Sequence, residues 1–117
     1  MARFTYNELI IMKILWKHGE QKPAEIQEKF PRDIKNAATR SFLRVLLNKG
    51  HITRHKVGKA YYYKAKTQPE RALRTLMRTV VDTFFDGSTD ALFVKLVRDK
   101  KMSKKDLLEI RRMADEM

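Results

Sequence analysis

Residues 34–66 read IKNAATRSFLRVLLNKGHITRHKVGKAYYYKAK, and their patterning decides the fold. Thr39, Phe42, Leu43, Leu46 and Leu47 recur at spacings of three and four, the period of one inward helix face. Asn36 is a good N-cap just before them. Gly50 stands where a left-handed residue closes a helix. Ile52–Lys56 then reads as a strand and Ala60–Lys64 as its return, because aromatic and β-branched residues alternate across two faces. Val57-Gly58-Lys59 forms the turn, since Gly58 adopts positive φ without steric cost. The stretch is therefore a helix followed by a short ribbon.

This stretch carries nine Lys/Arg and no Asp or Glu; the nearest acids are Asp33 and Glu70. The whole chain has net charge +12, and the charge is uneven. Residues 1–66 hold 15 basic and 5 acidic residues, whereas residues 67–117 hold 11 and 9. The positive field thus sits on the N-terminal part, where it attracts polyanions. A basic protein kept soluble by its charge is the plainer reading. An acid-free run coinciding with a groove-reading shape favours nucleic acid.

Upstream, Thr5-x-x-Glu8 has capping-box spacing. Leu9, Ile10, Met12, Ile14, Leu15 and Trp16 follow, apolar on more than one face, up to Gly19. Glu20–Lys22 is a short connection with room for a one-bridge strand. Pro23 suits the first turn of a second helix, striped by Ala24, Ile26 and Phe30 and stopped by Pro31. Two helices and a tight turn before the helix at 36–48 make a helix-turn-helix. Ala38, Arg40, Ser41 and Arg44 lie largely on its outward face. A groove-facing Arg reaches guanine edges, and Ser serves several edges or a phosphate. Arg40 and Arg44 equally fit an ordinary solvated helix face. In the ribbon, Arg54, Lys56 and Lys59 are placed for phosphates. Tyr61 and Tyr63 share a face, either packed on the helices or stacked on single-stranded bases.

Downstream, Thr67-x-x-Glu70 repeats the capping box, with Pro69 in the first turn. Leu73, Leu76, Met77, Val80 and Phe84 make a wide apolar face ending at Gly87. Ser88 caps a helix carrying Leu92, Phe93 and Leu96. Ser103-x-x-Asp106 starts a last one carrying Leu107 and Ile110. Three amphipathic helices after a complete small domain need a surface to bury against, and a second copy supplies it. One extended monomeric core is the other reading. The expected fold is mainly α with a small β-hairpin: a winged helix-turn-helix DNA-binding domain at 1–66, then dimerisation helices at 67–117.

No enzyme is expected. The chain has no cysteine, and it shows no P-loop, dinucleotide fingerprint or nucleophile motif. His51 and His55 have no acidic companions, so neither a metal nor any other cofactor is expected. The N-terminus MARFTYNELI lacks the pattern of a signal peptide, and no apolar run reaches the roughly 18 residues of a spanning helix. No membrane partner and a cytoplasmic location are therefore expected.

Several segments, taken in order, resemble the penicillinase-repressor family of bacteria (BlaI, MecI and CopY-like regulators). They are Leu15-Trp16-Lys17-His18-Gly19, Ala24-Glu25-Ile26, TRSFLRVLLNKG at 39–50, and Gly58-Lys59-Ala60-Tyr61-Tyr62-Tyr63. FFDGSTDAL at 84–92 and MSKKDLLEIRRM at 102–113 resemble the same family's dimerisation region. The resemblance implies a winged-helix repressor, binding a palindromic double-stranded DNA operator as a homodimer, with antibiotic-resistance or stress genes among those it controls. The family's groove-facing Thr-Val pair and Thr match Ala38, Thr39 and Ser41, so Ala38 departs from the pattern. The copper-responsive branch uses a cysteine pair that this chain lacks. In the β-lactam branch an inactivating protease cuts an Asn-Phe bond, which aligns near Lys95-Leu96, where the residues differ. Two other classes stay open: a winged-helix scaffold for an acidic protein, and an RNA or single-strand binder using the tyrosines.

Overall fold

The first helix begins where the reciprocal cap places it. The computed structural model describes residues 3–99 and 103–116; Met102, which opens one family-like segment, lies outside them. Helix α1 spans Tyr6–His18. The Glu8 amide donates to Thr5 Oγ1 (3.3 Å), and Glu8 Oε1 accepts from the Thr5 amide (3.1 Å). Both orphan donors are thereby satisfied. Ile11, Met12, Ile14 and Leu15 are buried, on more than one face as the sequence pattern predicts. Gly19 closes the helix at φ 79°.

Helix α2 is Pro23–Lys29 and α3 is Asn36–Asn48. In α2, Pro23 and Ile26 are buried and Ala24 is exposed, so the stripe starts one residue earlier than its apolar spacing suggests. The N-cap of α3 is Lys35, with no side-chain cap. Asn36 is instead the first helical residue, and its Oδ1 accepts from Arg40 Nε at 2.7 Å. Leu43 and Leu46 are fully buried, as is Thr39, whose hydroxyl leans back on the Lys35 carbonyl (3.4 Å). Each such Leu or Ile contributes about 1.5–3 kcal/mol through burial. Helix α3 ends in a Schellman motif. The Gly50 amide reaches the Leu47 carbonyl, the His51 amide reaches the Leu46 carbonyl, and Gly50 has φ 78°.

Strands β1 (Ile52–Val57) and β2 (Ala60–Ala65) pair antiparallel, from Ile52↔Ala65 to Val57↔Ala60. Gly58-Lys59 joins them. Gly58 has φ 61°, and Lys59 is not among the residues with positive φ. Positive φ at the first central position alone is the requirement of a type II′ turn. Gln21 adds a single bridge to Tyr63 on the other edge of β2, which ties the α1–α2 connection to the wing.

Residues up to Pro69 form one compact unit and those from Glu70 on form another. In the first, Thr67 is held on all sides: its carbonyl accepts from Trp16 Nε1 (2.9 Å), its amide donates to the His51 carbonyl, and its hydroxyl meets His51 Nδ1 at 2.8 Å. That hydroxyl does not cap α4, which starts at Pro69 (Pro69–Phe84), one residue too late for a box built on Thr67.

The second unit holds α4, α5 (Thr89–Asp99) and α6 (Lys104–Asp115). Ser88 Oγ accepts from the Ala91 amide and Ser103 Oγ from the Asp106 amide, both at 3.1 Å. Helix α5 packs on α6. Arg74 of α4 bridges Glu116 at 3.1 Å, and Arg112 of α6 reaches Glu70 at 3.4 Å. No described helix is long and apolar enough to cross a membrane.

One buried ion pair braces the first unit. Lys49 Nζ meets Glu8 Oε1 at 2.7 Å, and the same ammonium donates to the Arg3 carbonyl. Burial alone would push the Glu8 carboxyl up, but Lys49 and the Thr5 amide and hydroxyl overrule it and hold it below the usual value. A carboxylate with a lowered native pKa contributes stability that is present above its ordinary value of 4.5 and is lost as pH falls below it. Glu8→Gln is expected to cost about 1–3 kcal/mol at neutral pH. Melting temperatures measured across the acid range should show the wild type converging on this variant as pH drops below 4.5.

Candidate nucleic-acid interface

The outward side of α3 and one face of the ribbon enclose an open groove of about 520 Å³. Ala37, Arg40, Ser41, Arg44, Leu47 and Asn48 line it from α3, and Arg54 and Tyr63 from the strands. The helical residues follow the three-four spacing of one face. Ala37 sits near the start of that face, so bulk is least there and the groove opens. Ala38 is half-buried and lies off the groove lining. Ala37 and Asn48 take places on it that the sequence reading did not give them; the positions i, i+4, i+7 and i+11 counted from Ala37 would have found both.

The register explains the ribbon side. Arg54 lies opposite Tyr63 and Lys56 opposite Tyr61. Partners directly across an antiparallel ladder share a face. Tyr63 is buried, and Tyr61 is 37% exposed. The Arg54 guanidinium lies over the Tyr61 ring at 4.2 Å and donates from Nη1 to the Tyr63 hydroxyl at 3.3 Å. The Tyr63 hydroxyl, ahead of the Tyr61 ring, holds the Arg54 pKa above its already high value. Lys56 Nζ lies 5.7 Å from the same Tyr61 ring, and Lys59 is exposed in the turn.

The distribution of ion pairs separates the two units. In the second unit Arg78 pairs with Asp82, Lys95 with Asp99 and Arg111 with Asp90, while Arg112 meets Glu70, Glu109 and Glu116. Arg112 is pushed further up by Glu109, and Glu109 is held low by Arg112. None of Arg40, Arg44, Arg54, Lys56 and Lys59 has a carboxylate within salt-bridge distance among the described residues. The groove is thus an array of unneutralised cations with hydroxyl groups between them, which suits phosphate oxygens and the acceptor edges of bases. No group of three or more metal-ligating side chains occurs among the described residues.

The apolar residues of the second unit divide into two sets. Leu92 and Leu107 are buried within the chain, so they support the α5–α6 packing and have little surface left for a partner; the three-four pattern marks them as apolar without saying what covers them. Leu73 (40% exposed) and Phe84 (74% exposed) remain open on α4, with Leu76, Met77 and Val80 half-buried between them. Phe93, Leu96 and Ile110 are half-buried, and Arg111 lies over the Phe93 ring at 4.9 Å. Val94, Val97 and Leu108 are exposed and extend the apolar surface beyond the residues expected from spacing. Lys95-Leu96 lies inside α5, one turn before its end.

Comparison with known proteins agrees with this geometry. Residues 4–116 match the family model described as "Penicillinase repressor". Among solved structures, the chain is similar to one described as a "Possible transcriptional regulator for arsenical resistance", at 26% identity over 78% of this chain and 97% of that one, with a TM-score of 0.47. It is also similar to one described as "a transcriptional regulator", at 16% identity over 90% and 70%, with a TM-score of 0.43. No curated protein matches the chain.

Proposed function

The chain belongs to the penicillinase-repressor family of transcriptional regulators, and we propose that it represses by binding a palindromic double-stranded DNA operator as a homodimer. The observation that carries this reading is the groove of Arg40, Ser41, Arg44 and Arg54, cationic and unpaired by carboxylates among the described residues. Helix α3 enters the major groove, where Arg40, Ser41 and Arg44 meet base edges. The wing, through Arg54, Lys56 and Lys59, follows the neighbouring phosphates. The exposed stripe of α4, with Leu73 and Phe84, packs on a second copy. That spaces the two recognition helices about 34 Å apart, one turn of duplex. Release from the operator follows from anything that separates the dimer, including a protease. A cut at Lys95-Leu96 requires α5 to unwind locally, because proteases bind extended backbone. Antibiotic or other stress genes are the expected targets.

Competition tests the reading. Labelled duplex bound to the protein should be displaced by unlabelled duplex and not by equal masses of single strands. Displacement by single strands would instead favour base stacking on Tyr61, which is partly exposed. Lys59→Ala should weaken operator and non-operator duplex alike and flatten the log–log salt slope by about one. A loss confined to the operator would place Lys59 at a base.

A further inference from the structure

The Tyr pair of the wing suggests why Arg54 is where it is. An exposed arginine samples many rotamers, and ordering it on a ligand costs about 0.5–1.5 kcal/mol. Here the guanidinium already has two supports. Its plane lies over the Tyr61 ring at 4.2 Å, and Nη1 donates to the Tyr63 hydroxyl at 3.3 Å. Tyr63 is itself fixed, since its ring is buried and its backbone is paired on both edges, with Arg54 across β1 and with Gln21 through the isolated bridge. A buried tyrosine whose only role was packing could be a phenylalanine. This one directs its hydroxyl to a cation on the groove wall, across from Arg44.

We propose that Tyr63 is a positioning residue for nucleic-acid binding: its hydroxyl, with the Tyr61 ring, presets Arg54 as a phosphate clamp on the wing side of the groove. The inference rests on the duplex-binding reading and deepens it. The ligand group is a backbone phosphate, so the effect is independent of base sequence. Five N–H donors in a rigid fork suit Arg54 to that role, and one of them serves Tyr63.

The test is a double-mutant cycle on the full-length protein with a fluorescently labelled mixed-sequence duplex as the probe. Tyr63→Phe keeps the ring and removes the hydroxyl. It is expected to weaken duplex binding by about two- to tenfold, the span of one hydrogen bond's net worth, with the melting temperature nearly unchanged. Arg54→Ala weakens binding further and lowers the salt slope by about one. In the Arg54→Ala background, Tyr63→Phe has no additional effect, and Tyr61→Leu behaves the same way. Equal losses from Tyr63→Phe with and without Arg54 would overturn the positioning role. So would a loss by Tyr63→Phe that follows a drop in melting temperature. A wild-type protein that fails to bind the duplex at all would overturn the duplex-binding reading instead.

Discussion

A protein carrying both Leu73→Asp and Phe84→Asp is expected to be monomeric at micromolar concentration and to lose about a hundred- to ten-thousand-fold in affinity for a two-half-site duplex. The size of the loss comes from linkage. In a dimer the second half-site binds as an intramolecular event, and separating the copies returns it to bulk concentration. Leu73 and Phe84 are the right pair to change because both are already exposed in the single chain. They lie eleven residues apart on α4, three turns along one face, with Leu76, Met77 and Val80 between them. New carboxylates there leave the buried Val81 and the α5–α6 packing alone, so each monomer stays folded. Sedimentation gives the oligomeric state, and anisotropy with duplexes of one and two half-sites gives the affinities. Binding to the single half-site should be nearly unchanged. A double variant that remains dimeric would move the interface to Val94, Val97 and Leu108, the other exposed apolar residues of this unit.

The double substitution Arg40→Ala and Arg44→Ala should have an effect of similar size on the operator and a much smaller one elsewhere. Both side chains are exposed, line the groove and have no carboxylate partner among the described residues. A bidentate base contact is worth about 1–3 kcal/mol of discrimination. Two per protomer therefore amount to a hundred- to ten-thousand-fold at the operator, allowing for incomplete additivity. Non-operator duplex loses only the Coulombic share, visible as a shallower salt slope. Thermal stability should stay within about 0.5 kcal/mol, since neither residue packs in the core. Equal losses on operator and mixed-sequence duplex would assign both arginines to phosphates, and specificity would have to come from Ser41, Asn48 and DNA shape.

The sequence made the elements legible because each begins and ends on a local signal. Thr5 and Glu8 sit three apart and close the box that the spacing predicts. Gly50 provides the left-handed residue of the Schellman motif, and Gly58 that of the ribbon turn. The apolar stripe of α3 gives its orientation, and with it the outward face that lines the groove. Local spacing fails where a residue has a distant alternative. Thr67 looks like a cap, but its hydroxyl is taken by His51, 16 residues away, and its carbonyl by Trp16, 51 residues away. Asn36 looks like a cap as well, yet its side chain serves Arg40 one turn on. Leu92 and Leu107 show a different limit: periodicity reveals an apolar face, but the packing of α5 on α6 decides whether the chain or a partner covers it. The hold of Tyr61 and Tyr63 on Arg54 needs the strand register, which pairs residues nine apart.

The measurement that tests the central claim most directly is selection of duplex DNA from a random pool, read at two salt concentrations. The account predicts an enriched palindrome with half-sites about one helical turn apart, retained by the wild type and lost from the enriched set with Arg40→Ala/Arg44→Ala. If six to ten phosphates are contacted, the log–log salt slope should lie between about −5 and −9. Retention of duplex with no enriched sequence would contradict operator recognition and leave a protein that coats DNA through charge alone. No retention of duplex would contradict the DNA-binding assignment of the groove itself.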